Sequence, residues 1–436
     1  MVVMGVLSVS AAWDGTTVAT AFASGTGTEA DPYVIATPEQ LAFLAQSVKA
    51  GETYEGKFIV LSADIDLGGK EWMPIGLYKY ENSEGNDFPF NGSFDGKGYT
   101  VSNFVITAGN NTVYAGLFAY VTGSAVIKNV TVAKATVAGN NYAGVLVGKF
   151  QGKEISGITI EDDCTVTGTA SIGGVAGRIV AADAKYLVNN GTVSGTGNGN
   201  SSYIGGICGC LGGNATLSYS VNNGKISGDV AFSGGLVGMT GADSGAGNIE
   251  NCYNAGDVVY GGTKTSRYAG GIAARLANAA NLTYVVKNTY NIGTVSIGSA
   301  ETLNVGEIAA ELKNVTTFEN VYSVDVAGVD LFMSGKVAAS ADVSAVLNKT
   351  EAEIKALTAA IDAKIAENKV TPPAAPETTT PSAPETTVPS TPETNAPTTT
   401  PVQPSNPETG DVSAVILAAV CVTGLAAVMV VKKKER

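Results

Sequence analysis

Residues 232–240, Phe-Ser-Gly-Gly-Leu-Val-Gly-Met-Thr, recur in altered form along the middle of the chain. The copies are YAGLFAYV (114–121), YAGVLVGKF (142–150), SIGGVAGRI (171–179), YIGGICGCL (203–211), YAGGIAARL (268–276) and NVGEIAAEL (304–312). Their first aligned glycines, Gly116, Gly144, Gly173, Gly205, Gly234, Gly270 and Gly306, lie 28, 29, 32, 29, 36 and 36 residues apart. A second motif sits about halfway between them: IKNVTV, ISGITI, YLVNNGTVSG, YSVNNGKISG, CYNAGDVV and TYNIGTVSI. Each unit therefore holds about three short runs, alternating and rich in β-branched residues, as in VLVGKF, ISGITI and CTVTGTA.

A period in this range with three strand-like runs predicts an all-β solenoid, a right-handed parallel β-helix with short capping helices. Inward Val, Ile and Leu would stack coil on coil about 4.8 Å apart. Asn189, Asn222, Asn254 and Asn291, each just ahead of a glycine, would form a ladder along the stack. A β-propeller is the competing architecture, but its blades need about 40–50 residues and four strands each. A sandwich would not repeat so regularly.

Composition agrees with many tight corners. Glycine is 54 of 436 residues, about 12% against about 7% in average chains. Net charge is −13, which argues against nucleic acid as a partner. The chain has no histidine, which excludes His-dependent triads and His-based zinc sites. Cys164, Cys208, Cys210 and Cys252 show no CxxC pairing and read as buried thiols, with a bridge from Cys208 or Cys210 to Cys252 as the alternative; Cys421 lies in the C-terminal apolar run.

The chain divides by composition. Residues 1–12 read as the remnant of a signal peptide, with Ser10-Ala11-Ala12 at the cleavage site; a buried strand is the alternative. Residues 13–110 form an N-terminal cap and first coils, 111–335 the repeats and 336–370 a helical cap. Thr37-Pro38-Glu39-Gln40 opens a helix with Leu41, Leu44 and Val48 on one face, placed to cover the open end of the solenoid. Phe90 to Ile106 reads as two strands around Asp95-Gly96. Thr350 caps a second helix, with Ile354, Leu357, Ile361 and Ile365 on one face, that would cap the other end or start the stalk.

Residues 371–405, dominated by Pro, Thr and Pro-Glu-Thr, form a disordered linker that reaches about 100 Å as extended polyproline II. Residues 411–436 hold a transmembrane helix, Val412 to Val431, and a basic tail. Lys432, Lys433, Lys434 and Arg436 place everything upstream outside the cell.

Parts of the chain resemble known families. Asn406-Pro407-Glu408-Thr409-Gly410, an apolar helix and a basic tail, in that order, resemble the sorting signal of Gram-positive surface proteins, with Asn406 where leucine is usual. The resemblance implies that a sortase cuts between Thr409 and Gly410 and joins Thr409 to peptidoglycan; a retained single-pass anchor is the alternative. The membrane is then met only through the C-terminal helix before processing. Gly235-Leu236-Val237-Gly238 and its copies resemble the GLUG repeat of bacterial surface proteins over about 200 residues. Upstream of them, the stretch from Ala23 to Gly76 resembles the N-terminal part of such surface β-helices.

Parallel β-helices include polysaccharide lyases and hydrolases that use carboxylates, often with calcium. The candidate acids are Asp64 and Asp66 on one strand face, Asp95, and the trio Glu161-Asp162-Asp163. The plain readings are a solvated face, a tight turn and a loop. Tyr114, Tyr142, Tyr203, Phe232 and Tyr268 precede the repeat glycine and form either a sugar-binding strip or a packed corner ladder. No cofactor is called for, with calcium left open. The function expected is a non-enzymatic, wall-anchored adhesion scaffold for an extracellular glycan or host protein; the alternative is a wall-anchored polysaccharide lyase or glycoside hydrolase.

Overall fold

The computed structural model describes residues 12–78, 87–109, 113–197, 202–243, 245–260, 267–277, 281–297, 304–314, 316–325, 329–333, 336–338 and 341–373. All lie in one compact unit, Met1–Ala374. The linker, the sorting motif Asn406–Gly410 and the apolar run after it lie outside the described residues, as does most of the expected signal remnant.

The described chain winds as a parallel β-solenoid. Two seven-stranded parallel sheets, one from Tyr114–Ala115 to Val305–Gly306 and one from Phe118–Val121 to Ala309–Leu312, run beside a longer face of 20 strands that also takes in the N-terminal coils. One coil shows the construction: Tyr142–Gly144, Val147–Phe150, Glu154–Ile160 and Thr165–Gly168. Each strand pairs in parallel with its counterparts one coil before and after, such as Ile158 with Val130 and Leu187. Ile155, Ile158 and Ile160 point inward and are fully buried, as are Ala184 and Leu187 in the next coil. Period-2 alternation on a strand thus becomes a stacked apolar column along the axis. Parallel pairing between successive coils removes the propeller.

The strand Glu154–Ile160 bends at Gly157, φ 62°. Residues in the same register adopt the same left-handed conformation: Asn129, Tyr186, Tyr219, Asn251, Asn288 and Asn320. The corner is therefore a column, and Asn is favoured in it because its short side chain tolerates that conformation. Asn288 donates to Asn251 and Asn320 to Asn288, both at 2.9 Å.

A second, fully buried Asn column runs inside the coils. Asn189 Nδ2 donates to Asn222 Oδ1 at 2.8 Å, Asn222 to Asn254 at 2.8 Å and Asn254 to Asn291 at 2.9 Å. Asn222 also donates to the Gly224 carbonyl and accepts the Gly224 N–H, so all four of its hydrogen-bonding positions are used. That satisfaction is what makes a buried amide column tolerable.

Helix α1, Pro38–Lys49, buries Leu41, Leu44 and Val48 in the main core beside Ile35 and Leu61. Gln40 Oε1 accepts the Thr37 N–H at 3.2 Å, closing the first turn. The first strand, Tyr33–Ile35, is covered on its outer side by an antiparallel bridge from Ser24 to Val34. The N-terminal edge is thus blunted.

Helix α2 spans Glu351–Asn368, for which the sequence leaves a cap on the far end and the start of the stalk as alternatives. It lies along the flank. Ile354 and Ile361 pack with Val221, Tyr253 and Tyr290, which are outward residues of successive coils, and Tyr253 donates to Asp362 at 2.7 Å. The chain beyond it returns to an early coil, where a Cβ on Gly98 would stand 2.4 Å from the Val370 carbonyl oxygen. The reason is the outward column Val188–Val221–Tyr253–Tyr290–Tyr322, an apolar stripe that needs cover.

Candidate functional site

The acids singled out in the sequence hold turns and strand ends. Asp64 accepts the Thr100 N–H at 2.8 Å. Asp66 accepts the Gly68 N–H and the Asn103 amide at 2.8 and 2.9 Å. Asp95 accepts the Lys97 N–H and the Asn129 amide, both at 2.9 Å, and pairs with the Lys97 ammonium at 3.1 Å. Asp163 accepts the Lys134 N–H at 2.7 Å, and Asp162 is exposed in the same turn. Among the described residues no three His, Cys, Asp or Glu side chains converge as metal ligands.

The ring candidates are brought together as a column, and their faces cover one another. Tyr114 and Tyr142 stack with centroids 4.8 Å apart; Tyr203 and Phe232 stand at 5.1 Å, and Phe232 and Tyr268 at 4.9 Å. Ser171 takes the ring's place between Tyr142 and Tyr203. The facing row carries cations. Lys149 stands over Tyr120, Arg178 over Tyr142 and Arg275 over Phe232. Arg178 also pairs with Asp243 at 2.6 Å, and Arg275 with Glu311 at 2.5 Å. Burial, with the neighbouring phenols, pushes the Tyr114 hydroxyl above its ordinary range. The corner-ladder reading describes this arrangement, with Tyr114 and Phe232 buried and Tyr142, Tyr203 and Tyr268 partly exposed.

A cleft of about 470 Å³ opens elsewhere, on the long face at the N-terminal coils. Its floor comes from strand alternation. In Phe58–Leu61, Ile59 and Leu61 point into the core, so Phe58 and Val60 point out. Val126 lies in the same outward column as Phe58, two coils on, with Ser93 between them. Asp95, Lys97, Lys128 and Glu154 rim the floor, and Glu29 and Pro32 wall it on one side. Lys128 lies 3.8 Å from Asp95, and Lys185 lies 3.2 Å from Glu154. Burial alone would raise Glu154; the Ser156 hydroxyl and the Lys185 ammonium outweigh it and hold the carboxyl below its usual range. Asp95 is the one sequence candidate in this cleft. Sequence reasoning misses Phe58, Lys128 and Glu154. Their signal is faint: KFIVL is apolar at both alternating positions, which reads equally as a strand buried on both faces.

The four described cysteines are free and buried. Burial pushes the thiols of Cys164 and Cys252 up to about 12. The disulfide alternative is thereby replaced by inert core thiols.

No family model matches the chain. Halomucin of Haloquadratum walsbyi is 32% identical over 182 residues, 39% of this chain and 2% of that protein. A candidate Gly-rich membrane protein of Evansella cellulosilytica is 32% identical over 150 residues, 32% of this chain and 16% of that one. The chain thus spans less than a fifth of either relative's length. Among solved structures, a candidate immunoglobulin A1 protease from Bacteroides ovatus aligns with a TM-score of 0.48 at 23% identity, over 78% of this chain and 90% of that one. An IgA1 protease aligns at 0.46 and 16% identity, over 65% of this chain and 21% of that one. At that distance neither carries an activity to this chain.

Proposed function

We propose that the chain is a non-enzymatic surface module, a rigid β-helix that a sortase joins to peptidoglycan through Thr409 and that binds an extracellular glycan or a host protein. One observation supports this most. Asp64, Asp66, Asp95 and Asp163, the carboxylates an acid–base enzyme would draw on, each hold a backbone N–H of a turn or strand end. The likeness to a candidate Gly-rich membrane protein fits a surface-associated setting, and the resemblance of residues 406–436 to a sorting signal makes the proposed host a Gram-positive bacterium. Residues 371–405 would be the spacer that lifts the coil from the wall.

The enzyme alternative keeps one argument, because Asp95 and Glu154 line the same cleft. A glycan array probed with residues 13–374, followed by a reducing-end assay on every hit, separates the two. Binding without new reducing ends supports the scaffold, and release of new ends overturns it. Mass spectrometry of muramidase-released protein tests the anchor: a C-terminal peptide ending at Thr409 and carrying a wall amine is expected. Mature protein that retains Gly410 and the residues after it would overturn the anchoring.

A further inference from the structure

We propose that the cleft over Phe58, not the tyrosine column, is the ligand site, and that its ligand is an uncharged hexose oligosaccharide. The inference rests on the glycan-binding reading above and names its site and sugar class.

The first argument is an aromatic side chain that lines the cleft and stacks on no other ring among the described residues. Rings of the Tyr114–Tyr142 and Tyr203–Tyr268 columns are stacked face to face. Phe58 joins no ring pair and no apolar cluster among the described residues, although it is only partly buried. A pyranose has an apolar C–H face that needs such a platform. Val60 and Val126 extend it on both sides of the Ser93–Asp95 strand.

The second argument is the charge pattern. Asp95 sits between two ammonium groups, Lys97 at 3.1 Å and Lys128 at 3.8 Å. Glu154 sits against Lys185 at 3.2 Å. The rim therefore offers donors and acceptors in near balance. A polyanion would meet Asp95, Glu154 and Glu29; a cation would meet the lysines. Sugar hydroxyls, which donate and accept, use both sets without leaving a charge unpaired.

The third argument is preorganisation. The wall is a tight loop in which the N–H groups of Thr26 and Gly27 donate to the Asp31 carbonyl, and the Gly27 carbonyl accepts the Phe58 N–H at 3.1 Å. A volume of about 470 Å³ falls within the usual range for small-ligand clefts, about 300–1,000 Å³.

The test titrates residues 13–374, a unit with its own core, with cellotetraose, mannotetraose, laminaritetraose and tetragalacturonate by calorimetry, backed by an array of neutral and acidic oligosaccharides. At least one neutral oligosaccharide is expected to bind. Phe58→Ala should weaken it at least tenfold, Asp95→Asn and Lys128→Met three- to tenfold each, and Tyr203→Ala not at all. Phe58→Trp should keep the affinity and change its fluorescence on binding, which guards against a misfolded alanine variant. Binding that survives Phe58→Ala but is lost in Tyr203→Ala overturns the cleft and leaves the glycan-binding function standing. Binding of acidic sugars alone overturns the neutral class. No binding by any sugar overturns the function on which the site rests. Because Val370 to Pro372 pass beside Gly98, next to Lys97, residues 13–405 serve as a further arm. Loss of binding in that longer form makes the tether the occupant and overturns the proposal.

Discussion

Coils with a buried Asn and the two coils before them fill the same pair of positions with opposite chemistry. At Gly174, Gly206, Gly235 and Gly271, a Cβ would stand 2.2, 2.1, 2.4 and 2.4 Å from the amide carbon of Asn189, Asn222, Asn254 and Asn291. One coil earlier the pair is Val145 and Ile160, and before that Leu117 and Val132; all four are buried in the apolar core. The second glycine of the GG pair is thus room for an amide. In the two earlier coils, where the amide is absent, a branched side chain fills the space; in the last coil the pair is Glu307 and Ser323, both buried. The lesson is that the repeat conserves a filled volume shared by two distant positions, not a residue at either one.

The largest effect should come from forcing both solutions into one coil. Gly206→Val with Asn222 in place leaves no room for either side chain, and we expect a loss of about 3–5 kcal/mol in denaturant unfolding of residues 13–374. Unchanged stability would break the comparison.

Asn222→Ala should cost about 2–4 kcal/mol, because the Asn189 amide, the Asn254 oxygen and both polar groups of Gly224 lose a partner. Gly206→Val combined with Asn222→Ile recreates the earlier coils' pair. The double variant should be less destabilised than the sum of the single ones by about 1–2 kcal/mol, measured as a double-mutant cycle.

A smaller effect is expected where α2 covers the flank. Ile361→Ala should cost about 1–2 kcal/mol and raise hydrogen exchange in residues 351–368 while the coils stay protected. Exchange rising equally in the coils would show that helix and solenoid unfold as one.

The smallest effect concerns Glu154. Its carboxyl is held below the usual value of 4.5, so its contribution is complete above pH 4.5 and fades as pH falls through the lowered value. Because the pair with Lys185 is partly solvated, we expect about 0.5 kcal/mol or less, lost on acidification. Glu154→Gln should remove that part of the slope in a pH series of unfolding curves.

Much of the solenoid was legible. The GG-bearing copies and the Asn two residues before a glycine gave the stacking and the buried column, because in a solenoid each coil repeats the same local problem. Thr37-Pro38 and Thr350 located both helices, since capping is decided within one turn. The candidate site was poorly legible. Asp95 entered it for a reason unrelated to its neighbours, Lys128 and Glu154, which lie 33 and 59 positions further on. The tyrosines were visible as a column, but whether their faces were open or stacked was not.

The order of residues by itself therefore determined the coil, its period and its ladders, because these depend on alternation, corner geometry and hydrogen-bonding groups within one repeat. Only the tertiary structure decided that α2 lies on the flank, that the column rings stack on one another in two groups and that Phe58 lines the cleft. Those outcomes depend on which surfaces meet across many coils, and burial is a property of the partner as much as of the residue.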